Sequence, residues 1–243
     1  MPTPCKDCPL RRLECFAPMS AEEVAFMERF KSGELQVEPG TTILMQGSSS
    51  PQLYTALSGF GLRQKTTQAG ERQVLNFVFP GDFVGLQAGL MGEMQHSVEA
   101  TTGMTLCVFR RSDLWKVFQS YPSRAFDLTW LAAMEERFLG EALATVGQRS
   151  ARERVAWALH RLFRRLKGLG FGRDENSVPL PYRQQDLADA LGLSLVHTNK
   201  TLKDLRERQI AQWADGILRI SDLQRIADLA DGDPIPATRR PLL

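Results

Sequence analysis

Hydrophobic spacing divides the chain into a β-rich first part and a helical second part. Between Leu35 and Phe109, short β-prone runs alternate with turn signals such as Pro39-Gly40 and Pro80-Gly81. Their spacing is close to the roughly 8–12 residues that are typical of an antiparallel sandwich or barrel. From Ser123 to Val146 there is no proline, and apolar residues recur three and four positions apart. This second pattern predicts one long helix.

The long helix, residues 123–147, is predicted to pair two copies of the chain. A helix of about 24 residues spans roughly 36 Å, which is more than a small β-domain can cover. We therefore expect a homodimer, although a helix packed on its own domain would show the same periodicity. The expected interface is the apolar stripe along one face, formed by Leu131, Met134, Phe138, Ala142 and Val146.

The remaining boundaries follow from caps and turn residues. Residues 1–19, which hold three of the four cysteines, are predicted to form a loop-like arm. Ser20 and Glu23 match a capping box, so a short helix should begin there and run to about Phe30. We expect a β-rich sensor domain over 20–122 and a C-terminal domain over 148–243, which starts with a helix over 151–167.

The strongest local pattern is a helix-turn-helix over residues 184–202. Ala188 is small enough for two helices to touch, and Gly192 can adopt the positive φ of the turn between them. Ser194 can cap the second helix, and Asp215-Gly216 between apolar runs predicts a hairpin wing. An ordinary helical hairpin is the alternative. The predicted DNA-contacting residues are Ser194, Val196, His197, Asn199, Lys200 and Lys203.

Charge supports a nucleic-acid partner for the second part. Residues 148–243 hold 17 basic and 12 acidic residues, whereas residues 1–147 hold 13 and 16. A basic C-terminal part is typical of a domain that binds a polyanion such as double-stranded DNA.

Composition and motifs exclude other classes of protein. No apolar run approaches the roughly 20 residues of a membrane span, and the first residues lack a signal peptide, so we expect a cytoplasmic protein with reduced thiols. The sequence shows no phosphate loop, nucleophile elbow or H-E-x-x-H motif, and the three histidines, His96, His160 and His197, are scattered. The chain is therefore not expected to be an enzyme.

Over nearly its whole length the chain resembles the Crp/Fnr superfamily of bacterial transcription regulators. Residues 80–85, Pro-Gly-Asp-Phe-Val-Gly, are similar to a family turn, and residues 149–156 are similar to the segment that follows the family's dimer helix. The resemblance implies an α+β chain with a cyclic-nucleotide-binding-type β-roll, a long dimerisation helix and a C-terminal winged helix-turn-helix. It also implies a homodimer on a pseudo-palindromic promoter site, with RNA polymerase as a further partner and no membrane.

The four cysteines resemble those of the Fnr branch. In that branch a C-x2-C-x5-C group and one distant cysteine hold an oxygen-labile [4Fe–4S] cluster. Here the group is Cys5, Cys8 and Cys15, with six residues before the last, and the distant residue is Cys107. The resemblance implies that these four residues hold a [4Fe–4S] cluster in an oxygen- or redox-responsive regulator. A zinc site, a metal-free arm, and a regulator that is ligand-independent or senses another small molecule in the β-roll remain alternatives.

Two departures from the family pattern affect ligand and base recognition. The family's cyclic-phosphate arginine has no counterpart here, since no arginine lies between Arg72 and Arg110, so cAMP is not expected. In the recognition helix, the Fnr pattern E-x-x-S-R is replaced by Val196, Asn199 and Lys200. We therefore expect a half-site that is related to the Fnr half-site but distinct from it.

Overall fold

The computed structural model of the chain describes residues 2–172, 174–230 and 239–243. They form two compact units. The first unit contains residues up to 136 together with a short tail segment, residues 239–243, and the second begins at residue 137. The predicted mixed α+β architecture, with a β-roll, a long helix and a winged helix-turn-helix, is confirmed.

The first unit is a β-roll of two antiparallel four-stranded sheets, with strand orders β1-β8-β3-β6 and β2-β7-β4-β5. Its apolar core includes Leu44, Val78 and Leu106. The strands are β1 (Lys31–Val37), β2 (Thr42–Leu44), β3 (Gln52–Ser58), β4 (Gly61–Thr66), β5 (Arg72–Val78), β6 (Phe83–Val84), β7 (Ser97–Ala100) and β8 (Met104–Arg110). Helix α1 (Ala21–Phe30) precedes them, α2 (Leu86–Met91) lies between β6 and β7, and α3 (Leu114–Ser120) follows β8.

The N-terminal part confirms one local prediction and corrects another. The capping box at Ser20 forms as expected: its hydroxyl oxygen accepts from the backbone N–H of Glu23 at 3.2 Å, and the Glu23 carboxylate accepts from the Ser20 N–H at 2.8 Å. The arm before it is not a plain loop, because it contains 3-10 helices at Cys5–Asp7 and Pro9–Arg12. The backbone N–H of Thr3 and the ammonium of Lys31 both donate to Glu34, which fastens the arm to β1.

The long helix forms as predicted, but two of the five residues of its apolar stripe are buried within the chain, while Met134, Ala142 and Val146 are partly exposed. Helix α4 runs over Pro122–Gln148. Leu131 is buried in the core of the first unit, and the ring of Phe138 stacks on that of Trp157 with centroids 6.1 Å apart. The structure therefore corrects the assignment of Leu131 and Phe138 to a dimer interface. Periodicity identified an apolar face correctly, but the chain itself covers these two members.

The second unit is a helical domain with a three-stranded antiparallel sheet of order β10-β11-β9. Its elements are α5 (Ala151–Gly168), β9 (Ser177–Pro179), α6 (Gln184–Leu191), α7 (Leu195–Glu207), β10 (Ala211–Ala214), β11 (Ile217–Ile220) and α8 (Leu223–Ala230). The predicted wing is confirmed, because Ala214 pairs with Ile217 and leaves Asp215 and Gly216 as a two-residue turn, both with positive φ. The range 148–243 predicted for this domain was too long, since residues 239–243 pack on the first unit.

Candidate DNA-reading surface and thiol cavity

The turn between α6 and α7 forms from the three residues that predicted it. Ala188 is completely buried, and Gly192 adopts the left-handed conformation with φ of 61°. The hydroxyl oxygen of Ser194 accepts a hydrogen bond from the backbone N–H of His197 at 3.2 Å and so caps α7. The start of α7 is therefore fixed by local chemistry.

Helix α7 presents one polar face to solvent and one apolar face to its own domain. Val196 is 80% exposed, and the buried side of the helix carries Thr198, Leu202 and Leu205. Lys203 forms a 3.7 Å ion pair with Glu207, but both side chains are largely exposed, so this pair is weak. The structure brings the predicted contact residues together on the exposed side: His197, Asn199, Lys200 and Lys203 join Val196 there.

One residue that positions this surface was missed from the sequence. Asp186 is completely buried near the start of α6 and accepts from the backbone N–H of Arg183 at 2.9 Å. The Arg183 guanidinium also donates to the same carboxylate at 3.1 Å. The charge-assisted pair holds the first turn of the helix-turn-helix. An Asp three residues after the residue that precedes a helix is a capping signal that the sequence does contain.

Three of the four predicted metal ligands line one cavity in the first unit. Cys5 and Cys8 come from the arm, and Cys107 comes from β8, where it pairs with Thr55 of β3. The backbone N–H of Cys5 donates to the carboxylate of Glu28 on α1, which fixes this part of the arm. The other residues around the cavity are Leu10, Arg11, Met19, Met27, Lys31, Thr55, Leu57, Phe109, Leu242 and Leu243.

The cavity raises the pKa of two of its thiols, those of Cys5 and Cys107. Burial, together with the nearby Glu28, raises the pKa of Cys5 to about 12, and burial raises the pKa of Cys107 to about 11. The positive charge of the Lys31 ammonium opposes this effect and acts to lower the pKa of both thiols. A metal that binds here would have to displace the thiol protons.

Cys15 does not line this cavity. Its carbonyl oxygen accepts from the backbone N–H of Arg240 at 2.8 Å, next to a bridge between Phe16 and Arg240. In the part of the chain that the structure describes, no group of three or more His, Cys, Asp or Glu side chains is arranged to hold a metal ion. The predicted ligand set is thus divided between Cys5, Cys8 and Cys107 on one side and Cys15 on the other.

The β-roll also contains a cation that the sequence argument overlooked. Arg63 of β4 pairs with Glu135 of α4 at 3.2 Å and donates to the carbonyl oxygen of Phe83 at 3.0 Å. Asn76 donates to the same Glu135 carboxylate at 3.1 Å. The Arg63 guanidinium thus contacts the Glu135 carboxylate and the Phe83 carbonyl oxygen.

His96 is buried beside Arg63. Burial first, and then the positive charge of Arg63, lower the pKa of His96 to about 4. The imidazole is therefore neutral at physiological pH.

None of the helices in the described ranges combines the length and apolar character that a membrane crossing requires. Two family descriptions match the chain: residues 34–121 match the cyclic nucleotide-binding domain, and residues 153–229 match the Crp-like helix-turn-helix domain. Together they cover more than half of the sequence.

Known proteins match both units. The chain is 31% identical to the nitrogen fixation regulation protein FixK of Rhizobium meliloti over 180 residues, 73% of this chain and 77% of that protein. It is 28% identical to the transcriptional activator protein FnrL of Cereibacter sphaeroides over 233 residues, 94% of this chain and 92% of the other. The solved structure of FixK2 from Bradyrhizobium japonicum superposes with a TM-score of 0.74 at 25% identity, covering 83% of this chain and 98% of that one. These are transcription regulators and not enzymes. The chain belongs to the Crp/Fnr family of DNA-binding transcription regulators.

Proposed function

We propose that the chain acts as a homodimer that reads a pseudo-palindromic promoter site. The observation that supports base reading is the exposed face of α7, where Val196, Asn199 and Lys200 project from a capped helix. A dimer of helix-turn-helix domains places its two recognition helices about 34 Å apart, one turn of B-DNA. Bound there, it would regulate transcription through contact with RNA polymerase.

The proposed dimer surface is the face of α4 that the chain leaves open. Leu139 and Leu143 lie four residues apart on this helix and are 45% and 75% exposed. A Cβ added at Gly140 would meet no atom within 4 Å, so a second helix has room to approach there. Burying two leucines from each copy would contribute roughly 1.5–3 kcal/mol per side chain.

We further propose that the regulator senses oxygen or redox state through a [4Fe–4S] cluster. The supporting observation is the convergence of Cys5, Cys8 and Cys107, from distant parts of the chain, on one cavity. Lys31 adds a positive charge that favours thiolates. When bound, the cluster would supply an oxygen-labile group to which the position of the arm responds.

The fourth proposed ligand, Cys15, lies outside the lining of this cavity. Because its segment is held by Arg240, the arm between Cys8 and Cys15 has to rearrange before four thiolates can surround one cluster. The longer spacing in this chain, six residues rather than five, gives the arm one more residue for that movement.

A regulator without a cluster is the second candidate function. It is favoured by Leu242 and Leu243, whose side chains line the same cavity as the three thiols. In that case the chain would bind DNA independently of iron.

Iron and sulfide analysis of protein purified without oxygen separates the two candidates. We expect about four iron and four sulfide per chain and a brown colour that air removes. Cys107→Ser should carry no cluster while keeping its circular dichroism spectrum and oligomeric state. Full iron content in Cys107→Ser, or an iron-free and colourless wild type, would overturn the cluster assignment and leave the cluster-free regulator.

A further inference from the structure

The tail segment, residues 239–243, is held on the first unit by apolar contacts at its end. Leu242 and Leu243 are both buried, and both line the thiol cavity. Leu243 belongs to the same apolar cluster as Phe26, Phe109 and Leu131. The tail thus forms part of the wall of the cavity that Cys5, Cys8 and Cys107 also line.

Polar contacts fix the same segment at three points. The guanidinium of Arg240 pairs with the carboxylate of Asp82 at 2.9 Å. Thr55 donates to the carbonyl oxygen of Leu243, and Arg124 donates to that of Leu242 at 3.4 Å. An ion pair, backbone hydrogen bonds and side chains in an apolar cavity are the components of a peptide-binding site.

The tail also pairs with the cysteine-bearing arm. The backbone N–H of Arg240 donates to Cys15, and the N–H of Ala17 donates to the carbonyl of Arg240, both at 2.8 Å. This is one short step of parallel strand addition. On its other side the arm covers the Pro-Gly-Asp turn, since a Cβ at Gly81 would clash with the ring of Phe16. Arm and tail therefore cover the turn together.

We propose that the thiol cavity is a binding site for this chain's own tail, and that residues 239–243 are an internal peptide ligand that excludes other ligands from the three thiols. The bound tail forms part of the cavity wall with Leu242 and Leu243 and contacts the backbone of Cys15 through Arg240. A cluster bound by all four cysteines and a docked tail are consequently alternative states; this second statement rests on the proposed function.

The tail that lines the thiol cavity is part of the same chain as the DNA-binding unit. The tail follows α8 of that unit in the sequence, through residues 231–238, which lie outside the described residues. A ligand on the thiols releases the tail.

Thiol protection in the full chain tests the proposal. The sample is metal-free protein treated with a chelator and reductant, then alkylated with iodoacetamide, with modification of Cys5 and Cys107 followed by peptide mass spectrometry. Arg240→Glu and Leu243→Glu should each speed alkylation at both cysteines by at least tenfold, because they remove the ion pair or the apolar anchor. Arg239→Glu makes the same charge change at an exposed neighbouring position and should match the wild type.

A deletion variant and its rescue by an added peptide distinguish loss of the tail from unfolding of the protein. The variant that lacks residues 239–243 should also react faster, and a synthetic Arg-Arg-Pro-Leu-Leu peptide should restore protection at millimolar concentration or below. Equal alkylation rates in wild type, Arg240→Glu and the deletion would overturn the proposal, as would a peptide that gives no protection. Because the assay contains no iron, its result is independent of whether the protein binds a cluster.

Discussion

Cys5 of the arm and Cys107 of β8 line one cavity although they stand at opposite ends of the first unit's sequence. The positive charge of the Lys31 ammonium acts to lower the pKa of both thiols, against the effect of burial. The proposed sensing function depends on this convergence. Cys15, the fourth predicted ligand, does not line the cavity.

Cys15→Ser tests the four-thiolate set. If the arm rearranges so that all four cysteines bind, this variant should lose its cluster as completely as Cys107→Ser, because a cubane cluster needs a ligand on each iron. Iron and sulfide per chain, measured without oxygen, give the answer. Full retention of the cluster in Cys15→Ser, with loss in Cys107→Ser, would mean that another group supplies the fourth ligand.

Two variants of α4 separate the proposed interface from the helix's internal packing. Leu143→Glu should convert the dimer to a monomer with an unchanged thermal midpoint at low concentration, because the side chain is exposed within one chain. Phe138→Glu should instead destabilise the fold, by about 3 kcal/mol or more, since it buries a charge against Trp157. Sedimentation and thermal unfolding check both. A dimeric Leu143→Glu protein would place the interface elsewhere.

Base reading depends on the residue at position 196. Val196 can favour a thymine methyl but cannot accept a hydrogen bond from cytosine, so Val196→Glu should shift preference toward the usual Fnr half-site by roughly 1–3 kcal/mol at one base pair. Selection from random DNA with both proteins measures the shift. Lys203→Ala is the control, because loss of a phosphate contact should weaken all sites alike and lower the salt slope by about one. Identical sequence preferences for Val196→Glu and wild type would show that Val196 does not face the bases.

Buried His96 should make the first unit sensitive to mild acid. Its pKa is about 4 in the folded chain, mainly because of burial, against about 6.5 when unfolded. Between these values the unfolded chain binds a proton that the folded chain does not, so stability falls as the pH drops from 6.5 toward 4. The loss is of the order of 3 kcal/mol for this group.

Urea unfolding at a series of pH values, with wild type and His96→Gln, checks this expectation. The dependence that His96 causes should be absent in the variant. A His96 resonance that titrates near 6.5 by NMR in the folded protein would contradict the assignment.

Features that depend on neighbouring residues in the sequence were predictable, and features that depend on distant contacts were not. The caps at Ser20 and Ser194 and the turn at Gly192 each involve a few adjacent residues, and each formed as predicted. The exposed residues of α7 were also predictable, because the cap sets where the helix begins and the buried positions show which face points to solvent.

The errors share a different origin. The periodicity that placed Phe138 on an apolar face is equally satisfied by Trp157 and by a second copy of the chain, so sequence alone could not choose. Arg63 and Arg240 reach their partners across long stretches of sequence, and no local pattern predicts either contact. The extra residue before Cys15 was visible in the sequence, but the backbone contact between Cys15 and Arg240 of the tail was not.

The most direct test of the account is a DNA-binding titration on one sample before and after exposure to air. Protein purified without oxygen is titrated against its selected palindrome by fluorescence anisotropy, with the visible spectrum recorded at each stage and Cys107→Ser run in parallel. We predict that air removes the visible absorbance and changes the Kd of the wild type at least tenfold, while Cys107→Ser has no such absorbance and the same Kd throughout. A wild type without visible absorbance, whose Kd is the same before and after air, would contradict the account.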